Sequence, residues 1–237
     1  MRRGEFGASW VRFRCGLEGA IKVVFLRYGE KKRKMDAVPF IGIDRHRLGV
    51  DGVGVTTLAA FHGCPLRCRY CLNRRCLEPA EGLVRYTPQE LYDRVGVDNL
   101  YFIATGGGVC FGGGEPLLRV DFLEEFKALC GRGWNLTAET SLQVERESVV
   151  RAAEVVGDFI VDIKEGNAAI YKAYTGGDAA RAWGNLEWLL GRMGAEHVMV
   201  RVPLIPDFNT EADCDRTVRR LEGMGATRID RFEYRVG

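Results

Sequence analysis

The stretch Phe61–Cys76, FHGCPLRCRYCLNRRC, holds four of the eight cysteines of a 237-residue chain. Three of them, Cys64, Cys68 and Cys71, stand in C-x3-C-x2-C spacing. The residues just before, VGVTTLAAF (Val53–Phe61), are β-branched and apolar and read as a strand. The thiols therefore follow directly from the C-terminal end of a strand. Three thiolates on one short loop suit three irons of a cubane cluster and leave the fourth iron open. A closed zinc site needs a fourth protein ligand, for which Cys76 is the nearest candidate, with His62 behind it. A zinc knot and three separately buried cysteines are the alternatives at this point.

Outward from that loop, short β-rich runs alternate with helical patterns. Thr87–Val95 opens a helix, with Thr87 as N-cap, Pro88 at its first position and Glu90 completing a capping box. A short strand near Val109–Phe111 follows, then a helix at Asp121–Gly133 capped by Asp121 and stopped by Gly131. Trp134–Glu139 reads as a strand, the region around Glu145–Val156 as a helix, and Asp158–Lys164 as a strand. Helices are expected around Ala168–Tyr174 and Ala179–Met193, a strand at His197–Ile205, a helix at Glu211–Met224 and a last strand at Thr227–Arg235. Six strands with helices between them predict an α/β fold whose strands are mostly parallel, as an open sheet or a partial barrel. Ligands of such sheets sit at the C-terminal strand ends.

Those ends carry polar groups. Ala104–Leu118, ATGGGVCFGGGEPLL, places six glycines about a short strand and ends in an acid. Glycine lets backbone approach a ligand closely, and an acid beyond the turn can accept hydrogen bonds from an ammonium group. The G-x-G-x-x-G order of a dinucleotide loop is missing. Later strands end in Glu139–Ser141 and Asp162–Lys164, and Arg201 interrupts an apolar run. A charge there needs a partner or a polar cavity. Asp162 and Lys164 share one strand face, so they could simply pair with each other or with Arg201.

CPLRCRYC, with an aromatic before the last cysteine, resembles the signature of the radical S-adenosylmethionine (SAM) superfamily. GGEP resembles that superfamily's SAM-amino motif. DGVG (Asp51–Gly54), Asn73, Glu139-Thr140-Ser141, Asp162-Ile163-Lys164 and Arg201, in this order, resemble the glycyl-radical-enzyme activating enzymes, typified by pyruvate formate-lyase activating enzyme. The resemblance runs from about Ile41 to the C-terminus. It implies a partial (β/α)6 barrel and one 4Fe–4S cluster on Cys64, Cys68 and Cys71. SAM would be held by Asn73, Gly113, Gly114, Glu115, Glu139, Thr140, Asp162, Lys164 and Arg201, with a monovalent cation beside its carboxylate. It implies further that the 5′-deoxyadenosyl radical takes a glycine hydrogen on a partner glycyl-radical enzyme, with flavodoxin or ferredoxin as electron donor. Glu139 and Ser141 depart from the family's Asp and Asn, and Arg235 stands near where the family carries a His. A second cluster is not expected, because Cys76 to Gly106 holds no further cysteine. A radical-SAM enzyme for another peptide or small molecule, and a truncated, non-catalytic cluster- or zinc-binding protein, are the rival readings.

Residues 1–34 hold ten Lys/Arg and three Glu, a net +7, and the remainder 24 Lys/Arg and 29 acids, a net −5. The segment to about residue 40 is read as a basic extension placed before a natural start at Met35, and residues 41–237 as the catalytic domain. A nucleic-acid partner is the disfavoured use of that charge. The chain has neither a signal-peptide pattern nor an apolar run long enough to span a membrane, so the cytoplasm is expected, where clustered cysteines are metal ligands before they are disulfides. Cys110 and Cys130 are read as packing residues, and His46 and His197 as lacking partners.

Overall fold

The computed structural model describes residues 35–234. The chain divides at Lys34/Met35, and the first unit lies wholly outside the described residues, as do Cys15 and Arg235.

Eight strands form one sheet. They are β1 (Val38–Leu48), β2 (Val55–Phe61), β3 (Val84–Tyr86), β4 (Gly108–Gly113), β5 (Asn135–Thr140), β6 (Asp158–Asp162), β7 (Val198–Leu204) and β8 (Arg228–Glu233). Their spatial order is β3-β1-β2-β4-β5-β6-β7-β8. From β2 through β4 to β8 every pairing is parallel and follows chain order. Crossovers of one hand then place all connecting helices on one face and curve the sheet towards a barrel. β3 and β8 are its two edges, so the barrel stays open, as the alternating pattern predicted.

The strands alternate. Ala59 and Phe61, Val109 and Phe111, Leu136 and Ala138, Phe159 and Val161, and Val198, Val200 and Val202 enter the main core. Intervening positions, among them Glu139, Asp162 and Arg201, carry the charge on the opposite face. One apolar row on each of these five strands thus buries one face of the sheet, while the other face is left for chemistry.

The helices are α1 (Pro88–Val95), α2 (Asn99–Thr105), α3 (Val120–Cys130), α4 (Arg146–Ala152), α5 (Ala168–Thr175), α6 (Ala179–Met193) and α7 (Glu211–Gly223). α1 has the expected capping box of Thr87 and Glu90. α3 starts one residue earlier than expected, continuing a 3-10 turn at Pro116–Arg119, so Asp121 is not its cap. Asp121 instead pairs with Arg151 on α4. Gly131 ends α3 at φ 56°, as its sequence position suggested.

β1, β3 and α2 had no counterpart in the sequence reading. β1 pairs antiparallel with β2 and β3 and contains two register shifts. Its second half, Asp44–Leu48, is mostly exposed, so the apolar alternation that marks a strand is broken. α2 exposes Leu100 and Ile103 and buries only Phe102, so it shows no inward stripe.

A buried carboxylate fixes β1 to the barrel. Asp98, fully buried, accepts from Arg45 Nε at 2.8 Å, His46 Nε2 at 2.9 Å and Thr57 Oγ1 at 3.0 Å. His197 likewise meets Asp158 at 3.1 Å, so both histidines have partners, contrary to the expectation. The Arg45 hydrogen bond, helped by Thr57 and His46, holds Asp98 below its ordinary pKa. A carboxyl that ionises more readily when folded stabilises fully above its unfolded value, and that stabilisation fades as pH falls through the depressed folded value. Asp98→Ala is expected to cost about 3 kcal/mol at neutral pH. Asp98→Asn should flatten the acid limb of a stability-versus-pH curve. An unchanged acid limb, measured by urea unfolding from neutral pH to about pH 3, would refute the clamp.

Candidate iron–sulfur and SAM site

The thiol loop leaves the top of β2 and is fastened by main-chain hydrogen bonds on both sides. On one side Gly114 N donates to Phe61 O (2.9 Å) and Glu115 N to Gly63 O (2.8 Å), joining it to the bend after β4. On the other, Arg67 N donates to Thr175 O (2.8 Å) and Arg69 N to Tyr174 O (3.1 Å), joining it to the end of α5. Gly63, at φ 99°, makes the turn that starts the loop. Cys64, Cys68 and Cys71 are half-buried and unpaired.

Their acidities differ with their surroundings. Burial, then the Glu115 charge, pushes the Cys64 thiol up to about 12. Burial raises Cys68 to about 11 against the pull of Lys164. A hydrogen bond with Cys76 brings Cys71 down to about 6. Metal ligation deprotonates a thiol outright, so Cys64 and Cys68, whose pKa values burial raises, would be thiolates once they hold a metal.

The glycine run splits into two uses. A Cβ on Gly107 would lie 1.9 Å from Val55 O, and one on Gly108 would lie 2.0 Å from Asn135 O. Those two glycines serve close strand packing at the lower end of the sheet rather than a ligand. Gly113 and Gly114 lie at the upper end, against Ala60 and Gly63.

Glu115 is buried at 1% exposure, and four donors already fill its carboxylate. Oε1 accepts from Leu117 N (3.2 Å) and Thr140 Oγ1 (2.6 Å), and Oε2 from Ser141 N (2.9 Å) and Ser141 Oγ (2.7 Å). Burial raises its pKa in spite of these bonds. Glu115 therefore ties the GGEP bend to the end of β5, and Thr140 and Ser141 are its partners. Nothing in the sequence signalled that pairing across 25 residues.

Lys164, 8% exposed, donates to Asp162 Oδ2 at 2.7 Å, the simple pairing that one shared strand face allowed. Burial disfavours its charge, but Asp162, with Tyr234 and Cys68 nearby, outweighs that and raises its pKa. Arg201 lies opposite Asp162 in register. Its guanidinium turns to Glu139 Oε1 (2.6 Å), to Asp230 (3.7 Å) and to Val50 O (2.9 Å) in the loop that enters β2 from below. Burial and the neighbouring Asp162 raise the Glu139 pKa, with Arg201 opposing. Asn73 is exposed beyond the last thiol, and its carbonyl accepts from Cys76 N (2.8 Å).

The fold thus gathers Cys64, Cys68, Glu115, Thr140, Asp162 and Lys164 about the upper end of the strands. Glu139 and Arg201 point lower, and Asn73 points outward. Aromatic residues complete the wall. Tyr174, Ile205 and Tyr234 form a second apolar cluster, against which Cys68, Tyr70, Phe208 and Phe232 pack. An aromatic on a helix reads as core, so no sequence signal marked Tyr174 as a neighbour of the thiols.

Among the described residues no three His, Cys, Asp or Glu side chains converge on one point as a mononuclear metal site requires. Three free thiols on one rigid loop, half-buried under aromatic cover, fit a cluster that spreads its ligands over several irons.

Fold and site together define an open parallel α/β barrel that carries a three-thiol loop at the mouth. The radical SAM superfamily model matches residues 59–221. The chain is 31% identical over 175 residues to the pyruvate formate-lyase-activating enzyme of Clostridium pasteurianum, covering 73% of this chain and 70% of that one. It is 28% identical to the choline trimethylamine-lyase activating enzyme of Oleidesulfovibrio alaskensis, covering 69% and 71%. Among solved structures, Streptococcus suis SuiB bound to S-adenosylmethionine superposes with a TM-score of 0.56 at 14% identity, over 76% of this chain and 42% of that one. The chain spans about two-fifths of the length of SuiB, and that likeness bears on the fold alone. The chain belongs to the radical SAM superfamily and, within it, to the glycyl-radical-enzyme activating enzymes. Membership implies a 4Fe–4S cluster and SAM as cofactors. No helix among the described residues is long and apolar enough to cross a membrane.

Proposed function

We propose that this enzyme activates a partner glycyl-radical enzyme in the cytoplasm. The observation that carries the reading is the loop of three unpaired thiols, clamped between the GGEP bend and the end of α5. Cys64, Cys68 and Cys71 would hold the cluster, and SAM would bind beside it. When bound, the two cofactors supply reductive cleavage of SAM to methionine and a 5′-deoxyadenosyl radical that takes a glycine Cα hydrogen.

The chain's own residues hold and shield. Glu115 fixes the bend, so that the Gly113–Gly114 backbone faces the SAM amino group. Lys164, kept cationic by Asp162, faces the SAM carboxylate or ribose. Asp162 stands where a monovalent cation would balance that carboxylate, with Glu139, ordered by Arg201, lower on the same face, while Thr140 acts through Glu115. Asn73 lies at the outer rim. Tyr70, Tyr174 and Phe208 keep water from the thiols. The open edge between β3 and β8 suits a protein substrate, whose glycine loop must enter.

The test is 5′-deoxyadenosine release from SAM after anaerobic reconstitution and reduction with dithionite, followed by glycyl-radical detection in a candidate partner by electron paramagnetic resonance. Product without any glycyl radical on partners from the same genome would shift the reading to a peptide or small-molecule substrate. Iron binding without product would refute it.

A further inference from the structure

We propose that the outer rim of the thiol loop is the docking surface for an acidic one-electron donor protein, with Leu72 as its apolar anchor and Arg69 and Arg75 as its charge contacts. The inference rests on the function proposed above, which requires an electron at the thiol-bound centre.

The segment Cys64–Cys76 contains four arginines and no acidic residue. They divide into two pairs. Arg67 folds back onto Cys64 O (2.7 Å) and Leu66 O (2.8 Å), and Arg74 onto Arg69 O (2.7 Å), so these two shape the loop. The side chains of Arg69 and Arg75 are exposed and form no hydrogen bond or ion pair with a described residue. Elsewhere on the surface Arg151, Arg181, Arg192 and Arg231 each hold a carboxylate, whereas Arg94, Arg119, Arg132 and Arg219, like Arg69 and Arg75, hold none among the described residues. What sets the thiol loop apart is two such arginines within seven residues that contain no acid. Between the two free arginines stands Leu72, 79% exposed and adjacent to Cys71.

An exposed leucine with an exposed arginine three residues to either side, neither arginine paired with a described residue, has the composition of a protein interface, an apolar anchor with charge about it. The unpaired positive charge selects an acidic partner and speeds its encounter. The main-chain bonds of Arg67 and Arg69 to the end of α5 hold the rim rigid, which limits the ordering cost of docking. The position suits the chemistry. A donor seated on Leu72 brings its redox group next to the thiol of Cys71. The reduced donor, a flavin hydroquinone or a reduced iron–sulfur centre, gives up one electron and is left a semiquinone or an oxidised centre. The centre held by Cys64, Cys68 and Cys71 takes up that electron, and no covalent bond forms between the proteins. A nucleic acid would use the arginines but not the leucine.

The experiment uses the full chain with its cluster reconstituted, comparing wild type, Leu72→Asp and the double variant Arg69→Glu/Arg75→Glu. Cluster reduction is followed by stopped-flow absorbance with reduced flavodoxin, with reduced ferredoxin and with dithionite. Donor affinity is measured separately by calorimetry at low and high salt. The double variant is expected to slow reduction by at least one protein donor on the order of tenfold and to lose most of the salt dependence. Leu72→Asp should weaken donor binding at every salt concentration, while dithionite reduces all three proteins at rates within about twofold of each other, since a small reductant needs no docking surface. Equal reduction rates and affinities for wild type and variants with both protein donors would overturn the surface alone. A wild type that dithionite cannot reduce would overturn the proposed function, and the role of the surface with it. If the double variant loses affinity for a single-stranded oligonucleotide but keeps that for both donors, the rim belongs to a nucleic acid instead and the proposal falls.

Discussion

Cys68→Ala should leave a folded protein that no longer retains a 4Fe–4S cluster and releases 5′-deoxyadenosine only at the buffer background. The loop's path does not depend on this thiol. The neighbouring residues Arg67 and Arg69 hold it through main-chain bonds to Thr175 and Tyr174, and those bonds survive the substitution. The melting temperature of the metal-free protein should therefore move by no more than about 4 °C. Cluster retention should fail because two thiolates cannot anchor three irons, and an iron left to solvent is lost. Iron content, the visible absorbance of the reconstituted protein and product release measure the three parts of this expectation. A variant that keeps its full iron complement and its product would show that Cys68 is not a ligand. Cys76 would then be the thiol to replace next, since it hydrogen-bonds to Cys71.

Gly114→Ala should have the largest effect of any one-carbon change at the site. A Cβ there would lie 2.2 Å from the Gly63 carbonyl oxygen and 3.0 Å from that of Phe61. Both obstacles are backbone, and neither side chain nor rotamer can yield. Relief requires the thiol loop and the GGEP bend to separate, which breaks the bonds Gly114 N to Phe61 O and Glu115 N to Gly63 O. The expected cost is about 3–4 kcal/mol, or a fall in melting temperature of about 10 °C. Iron loading should fall with it, since the thiol loop is one of the two parts pushed apart. Gly106→Ala is the control. It meets nothing within 4 Å, and its φ of +70° makes the change cost only about 1 kcal/mol. A Gly114→Ala protein that melts and loads iron like the Gly106→Ala control would show that the contact relaxes and the clamp is not rigid.

Particular residues mark where the sequence could and could not be read. Five of the six parallel strands were legible because each buries an alternating row of Val, Ile, Leu, Phe or Ala, a pattern that survives without knowledge of neighbours. β8 buries no residue fully and was read from its β-branched and aromatic residues alone. α1 and α6 were legible because a capping box and a Gly-bounded amphipathic run are local signals. β1 was not, because its exposed half is polar and two register shifts interrupt its period. α2 was not, because its apolar residues face outward. The partners of Asp98 lie 41 to 53 residues away, so His46 seemed to stand alone until the fold brought them together. The glycine run misled in part. Composition places six glycines in one segment, but only packing distances separate those that admit a neighbouring strand from those that turn beneath the thiol loop.

By itself the sequence determined the parallel α/β class, the three-thiol loop at a strand end and the acid that follows the glycines, because spacing and alternation are carried by the order of residues. The tertiary structure decided what each charge does. Glu115 meets Thr140 and Ser141, and Arg201 turns down to Glu139 and Val50, whereas the pairing of Lys164 with Asp162, two residues apart, was already open in the sequence. A buried charge is settled by whichever partner comes within about 3 Å of it, and such distances between residues far apart in the chain exist only once the sheet has curved.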